Sequence, residues 1–161
     1  MIPKIIHYCW FGRGEKSELI LNCIASWKKY CPDYEIICWN EDNFDVTTAP
    51  LYVRQAYEQK RWAFVSDYVR LKALTEMGGV YMDTDVEVLK SFEPLMQDVA
   101  FIGLEESRAH LPGTCVMACE PHCKWVKDML ALYDGIEFVK PDGSLDLTTN
   151  VQRMGVVMMK E

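Results

Sequence analysis

Apolar and polar residues along this chain follow two rhythms, one of strands and one of helices. Residues 5–10 form a short apolar run closed by Gly12 and Gly14, the pattern of a buried strand followed by a loop. Residues 17–30 place Leu19, Ile20, Cys23, Ile24 and Trp27 at helical spacing, with Ser17 positioned to cap the helix and Pro32 to stop it. Residues 35–39 are a second run of strand length. Helices are predicted over 50–60 and 62–77, and Gly78-Gly79 ends the second. Residues 80–82 then form a short strand that runs into Asp83-Thr84-Asp85, and 86–89 continue extended. Residues 99–104 and 114–118 are further strands, and 121–133 a helix with Pro121 in its first turn. Strands alternating with helices predict an α/β fold with a mostly parallel central sheet and helices on both faces. In such sheets ligands sit at the carboxyl ends of strands, which here means residues 10–14 and 83–85.

Composition narrows the class of partner. The 161 residues include 24 acidic and 17 basic side chains, a net charge of −7, which argues against a nucleic-acid groove. One phosphorylated small molecule is compatible with that charge, because a divalent metal reverses the local sign. Seven cysteines stand at positions 9, 23, 31, 38, 115, 119 and 123. Cys115, Cys119 and Cys123, with His122, have a spacing that permits zinc, but Pro121 should divide a strand from a helix within the run. Buried free thiols in a reducing compartment are the expectation. The opening residues lack a cleavage-site pattern, and no apolar run approaches the ~20 residues of a membrane span. A cytoplasmic protein is expected, with peripheral contact at the inner face of the membrane left open.

The strongest chemical signal is Gly78-Gly79-Val80-Tyr81-Met82-Asp83-Thr84-Asp85. Three apolar residues deliver two carboxylates to a strand end. In extended backbone, residues two apart point to the same side, so Asp83 and Asp85 can converge on one cation. Carboxylate oxygens are hard ligands suited to Mg²⁺ or Mn²⁺, and a metal held by one or two of them keeps open positions for a pyrophosphate. Alone, an Asp-x-Asp is equally a solvated turn. A calcium EF-hand fails because its sixth position here is Val88. A phosphatase of the haloacid dehalogenase type fits poorly, with Glu87 where Thr or Val is usual and the pair lying mid-chain.

The helix over 62–77 is apolar on nearly every side, as a helix buried between layers is. Lys72 and Glu76 share one polar side, and Asp67 and Arg70 fall roughly opposite. Charges on a buried side must be paired or ligand-bound. They form either an edge ion pair or a carboxylate and guanidinium that meet sugar hydroxyls and phosphate oxygens. Trp10, at a strand end before a glycine-rich loop, suits core packing or stacking on a flat base. His7 reads as a core histidine.

Together these residues resemble a known family. Ile2-Pro3-Lys4-Ile5-Ile6-His7-Tyr8-Cys9-Trp10-Phe11-Gly12 is similar to the opening of glycosyltransferase family 32, the group holding the sugar-binding region with an Asp-x-Asp motif. Trp27-Lys28-Lys29-Tyr30-Cys31-Pro32-Asp33-Tyr34-Glu35-Ile36, Ala63-Phe64-Val65-Ser66-Asp67-Tyr68-Val69-Arg70-Leu71 and the Asp-x-Asp segment continue the likeness to about residue 106. The family includes bacterial capsular-polysaccharide glycosyltransferases, and the clostridial glucosylating toxins are more distant relatives. The resemblance implies a GT-A fold, a UDP- or GDP-hexose donor, a Mn²⁺ or Mg²⁺ ion, and transfer with retention to a saccharide or lipid-linked saccharide acceptor in cell-surface polysaccharide synthesis. It implies that Trp10 stacks on the base, that Ser66 and Asp67 line the donor site, and that Asp67 takes sugar hydroxyls. Arg70 would meet the transferred sugar or the phosphates, and Tyr81 would pack near base or ribose. Asp83 would touch ribose and metal, and Asp85 would be the firmer metal ligand. Asp83, Asp85 and Arg70 are thereby the expected catalytic set. Glu105 and Glu106 would face the donor sugar or be solvated.

The likeness thins beyond residue 106. The expectation is one GT-A-type domain over 1–161, in which 1–106 bind the nucleotide sugar and 107–161 begin an acceptor-side part, with the apolar end of the chain resembling an element cut before its packing partner. The alternative function is a non-catalytic or truncated nucleotide-sugar-binding domain.

Overall fold

A computed structural model gives the architecture, and the structure describes residues 1–105 and 111–160. Five strands form one sheet in the order β2-β1-β3-β5-β4. They are β1 (Ile5–Cys9), β2 (Glu35–Trp39), β3 (Gly79–Met82), β4 (Ala100–Glu105) and β5 (Leu111–Cys119). β1 pairs parallel with both β2 and β3, whereas β5 runs antiparallel to β3 and to β4. Four of the five strands therefore point one way, and the reversed β5 makes the sheet mixed.

Helix α1 (Glu18–Tyr30) begins where the Ser17 side chain accepts from the Ile20 amide. It covers one face of the sheet with Ile24 and Trp27, against Ile6, Tyr8, Val80 and Met82. Helices α2 (Leu51–Glu58), α3 (Trp62–Met77), α4 (Lys124–Ala131) and α5 (Asn150–Met158) cover the other face, around Cys9, Tyr81, Met117 and Cys119. Both faces are thus apolar, which explains why the strands read as short continuous runs. Among the described residues no helix is long and apolar enough to cross a membrane.

Three expectations change. Residues 86–89 lie outside the sheet; Trp27 Nε1 donates to the Val86 carbonyl and the Val88 amide donates to Ser26 Oγ, so α1 holds this segment in place of a strand partner. Pro121 is not in the first turn of α4: it stands in a preceding turn with His122 at φ 62°, whose amide donates to the Thr75 carbonyl. Finally, β5 is longer than its apolar core because Leu111 and Pro112 pair with β4 across an irregularity in the ladder.

The double glycine ends α3 and starts β3 for a steric reason. Gly78 (φ 65°) and Gly79 (φ 110°) both occupy the left-handed region. A Cβ on Gly79 would stand 2.7 Å from the Ile5 carbonyl, and one on Gly78 2.7 Å from Pro121. This turn brings the chain from the buried helix into the sheet beside β1, where Ile6 and His7 pair with Val80 and Tyr81.

Candidate active site

β1 lies between β2 and β3, so the chain leaves β1 to one side through α1 and returns on the other through α3. That reversal opens a crevice at the carboxyl ends of β1 and β3. A cavity of about 640 Å³ lies there. It takes Trp10, Gly12 and Gly14 from the loop after β1, and Asp83, Thr84 and Asp85 from the turn after β3. α3 supplies Ser66, Asp67 and Arg70 from its largely buried cavity-facing side.

Arg70 is the centre of this site. Its guanidinium is 6 % exposed, deep in a helix where an unpaired charge would be untenable. Nη1 donates to the Thr114 carbonyl at 2.7 Å, and Nε to the Ser66 carbonyl at 3.3 Å. Nη2 lies 3.2 Å from Asp67 Oδ1 and 3.1 Å from Asp83 Oδ1. The guanidinium carbon stands 4.3 Å from the centre of the Tyr81 ring, which supports it from below. Burial opposes the Arg70 charge, and Tyr81, Asp67 and Asp83 more than restore it. Burial likewise pushes both carboxyls up, Asp67 and Asp83 alike, and Arg70 only partly pulls them back. All three shifts are upward, which favours the charged form of Arg70 and opposes that of the two carboxyls; one guanidinium faces two carboxylates, so the fully ionised trio carries one surplus negative charge.

Asp83 and Asp85 are set by a turn rather than by extended backbone. β3 ends at Met82, and the Val86 amide donates to the Asp83 carbonyl at 3.1 Å. Tyr81 Oη and Arg70 both engage Oδ1 of Asp83. Its Oδ2 has no such partner among the described contacts, and Asp85 is exposed on the same cavity. This all-oxygen, net-negative donor set fits a hard divalent cation that shares a diphosphate. Among the described residues no group of three or more His, Cys, Asp and Glu forms a closed metal cluster. All seven cysteines are free, with Cys119 buried in the core.

Trp10 is half-buried, its Nε1 donating to the Gly14 carbonyl at 2.8 Å, with Lys16 Nζ 5.3 Å from the ring centre. Tyr81 is 2 % exposed, a floor beneath Arg70 that also donates to Asp83. His7 is fully buried: Nε2–H donates to the Gly78 carbonyl at 2.8 Å and Nδ1 accepts from Trp39 Nε1 at 3.1 Å. Glu105 is not among the residues lining the cavity, and Glu106 lies outside the described residues.

Among the lining residues that sequence reasoning missed are Trp62, Thr114, Thr149 and Asn150. A side chain on Gly12 (φ 89°) would collide with the Trp62 indole, so the glycine lets this ring flank the loop after β1. Thr114 follows Pro112 and Gly113, which read as loop. Thr149 and Asn150 open α5, and the signal for them was present: Thr149-x-x-Gln152 is a capping box, formed here in full.

Four similarities relate this chain to known proteins. A family profile described as a glycosyltransferase sugar-binding region containing a DXD motif matches residues 17–102, more than half of the chain. Over 104 residues the chain is 31% identical to inositol phosphoceramide mannosyltransferase 3 of Schizosaccharomyces pombe; the match covers 63% of this chain and 29% of that relative. Among solved structures it resembles the PaToxG glycosyltransferase, with a TM-score of 0.67 and 22% identity over 81% of this chain and 60% of that one. A transferase carrying two cysteine-to-serine substitutions aligns with a TM-score of 0.57 and 10% identity, over 99% and 86% of the two chains. At these identities the structural likeness shows the fold, which is of GT-A type.

Proposed function

Because the chain belongs to the family of glycosyltransferase sugar-binding regions containing a DXD motif, we propose that its cavity holds a nucleotide-sugar donor, UDP- or GDP-hexose, for metal-dependent transfer of the hexose to a saccharide or lipid-linked saccharide acceptor. The observation that carries this reading is the convergence of Trp10, Asp67, Arg70, Asp83 and Asp85 on one crevice. Trp10 offers the nucleobase a flat surface. Ser66 and Asp67 face the hexose, where the Asp67 carboxylate accepts from sugar hydroxyls. Arg70 holds Asp67 and Asp83 together and so places the sugar end against the diphosphate end of the donor.

Asp83 and Asp85 would hold Mn²⁺ or Mg²⁺, which when bound offsets the negative charge that grows on the departing diphosphate. Both oxygens of Asp67 are engaged, Oδ1 by Arg70 and Oδ2 by the Asn150 amide. That supports attack by the acceptor hydroxyl itself rather than by this carboxylate. The bond from the anomeric carbon to the phosphate oxygen breaks, a bond to the acceptor oxygen forms on the same face, and the acceptor proton passes to the leaving phosphate. Retention follows. The setting is synthesis of capsular or other cell-surface polysaccharide on the cytoplasmic side of the membrane.

Calorimetric titration with UDP- and GDP-hexoses, with and without Mn²⁺, tests the reading. Metal-dependent binding of one donor class is expected, and Asp85→Ala should abolish it with little loss of fold stability, because an exposed turn carboxylate is removed rather than core. Absence of metal-dependent binding to every donor would overturn the proposal. The match spans less than a third of the length of the curated relative; the second reading is a donor-binding domain without transfer. Donor binding with neither hydrolysis nor transfer would select it.

A further inference from the structure

We propose that Asn150 is a positioning residue for the donor sugar: it sets the Asp67 carboxylate, and through it the N-terminus of α5 becomes part of the donor site. The inference rests on the donor-binding reading above. Asn150 is 1 % exposed, unusual burial for an amide, and every polar group it carries has a partner. Its backbone N–H donates to Asp67 Oδ2 at 3.3 Å. Its Nδ2 donates to the Asp67 backbone carbonyl at 3.0 Å, and its Oδ1 accepts from Tyr133 Oη at 2.9 Å. A flipped amide would oppose Oδ1 to a carbonyl oxygen, so only one orientation satisfies both sides.

The capping box explains why this amide is free to act outside its own helix. Thr149 and Gln152 satisfy each other's backbone N–H groups, and the Asn150 N–H between them is left for Asp67. Asp67 is thereby gripped at both ends, by Arg70 within α3 and by Asn150 from α5. Asp67 and Asn150 both line the cavity, so a hydroxyl-bearing ligand held there meets the carboxylate that Asn150 fixes. Tyr133 is itself held, with the Arg153 guanidinium 4.7 Å from its ring centre and Tyr52 packed edge-on at 5.2 Å. A rigid chain of contacts therefore runs from the outer helices to one carboxylate.

The test compares affinity for the nucleotide sugar with affinity for the nucleoside diphosphate alone, measured by calorimetry in Mn²⁺. Asn150→Ala keeps the backbone N–H but removes the two side-chain bonds that hold it against Asp67; it should lower nucleotide-sugar affinity about ten-fold and change diphosphate affinity by less than about two-fold. Asn150→Asp should do at least as much damage to the sugar, since it sets an acceptor against the Asp67 carbonyl. Thermal midpoints are recorded in parallel. A purely structural Asn150 would lower the midpoint and leave the ratio of the two affinities at its wild-type value; that result overturns the inference alone. Should Asn150→Ala fail to fold, Tyr133→Phe carries the test by removing a single hydroxyl. It should shift the ratio about three-fold in the same direction, and an unchanged ratio overturns the inference. A wild-type chain that binds neither ligand removes the donor-site reading and the inference with it.

Discussion

Replacing Arg70 by lysine keeps the charge at the centre of the site and removes the planar fork that distributes it. The structure allows the consequence to be worked out contact by contact. A lysine ammonium, on a shorter reach, can satisfy the two carboxylates or the two carbonyls, not both sets. The Ser66 carbonyl belongs to a helical turn and loses little. The Thr114 carbonyl, 2.7 Å from Nη1 in a buried stretch of β5, loses its donor, at about 1–3 kcal/mol. Loss of the guanidinium stacked 4.3 Å above Tyr81 adds about 0.5–2 kcal/mol. Arg70→Lys should therefore destabilise the fold by about 2–4 kcal/mol, read by urea unfolding. Arg70→Met, which leaves the largely buried Asp67 carboxylate without its cation, should cost more, about 3–5 kcal/mol. Donor affinity should fall at least about ten-fold in the lysine variant, because Asp67 and Asp83 are no longer tied to one group. If Arg70→Lys unfolds within about 0.5 kcal/mol of wild type and binds donor equally well, the site needs only a positive charge and the fork argument is wrong.

Burial lowers the basicity of His7, so the fold favours its neutral form. The stability it contributes is complete above its ordinary value of about 6.5 and is lost as pH falls from there toward the depressed folded value, by up to about 1.4 kcal/mol per pH unit. Urea midpoints from about pH 7.5 to 5.5 should fall in wild type more steeply than in His7→Phe, and parallel slopes would refute the preference for neutral His7. Gly79→Ala should cost about 2–4 kcal/mol, through left-handed strain and collision with the Ile5 carbonyl, whereas Gly143→Ala, with φ 84° and open space around it, should cost only the strain of about 1–2 kcal/mol. Equal losses in the two variants, measured by the same unfolding assay, would refute the steric account. Trp10→Ala should weaken nucleoside-diphosphate affinity by about 1–3 kcal/mol if the ring stacks on the base, and an unchanged affinity would return this side chain to a packing role.

What was legible in the sequence was whatever local chemistry decides. The bounds of α3 follow from its apolar run and the double glycine, and those of β2 from five residues flanked by polar ones. The Asp67–Arg70 pair was visible because three residues in a helix bring side chains together. Its third member was not. Asp83 meets Arg70 only because β3 returns beneath α3 after the Gly78-Gly79 turn, a relation set by the fold and not by spacing. The orientation of β5 was hidden for a similar reason. Leu111-Pro112-Gly113 carry loop signals, and only pairing with β4 makes them strand. The start of α4 was misplaced because Pro121 suits a first helical turn as well as the turn it occupies.

The segment matched by the family profile, residues 17–102, does not by itself hold the candidate site. It contains Asp67, Arg70 and Asp83, yet the Arg70 guanidinium finds one carbonyl on β5 and the Asp67 carboxylate one amide on α5. The sheet gives the reason. β5 inserts between β3 and β4, so chain from both sides of residue 106 builds the wall behind the Asp-x-Asp turn. Trp10, in the loop after β1 and ahead of the matched segment, lines the same cavity. An ion trio built on a buried guanidinium is stable only where the remaining donors and lone pairs on its buried side are also met. Here two of those partners come from β5 and α5, beyond the matched segment, which is why the matched segment and the candidate site are different sets of residues.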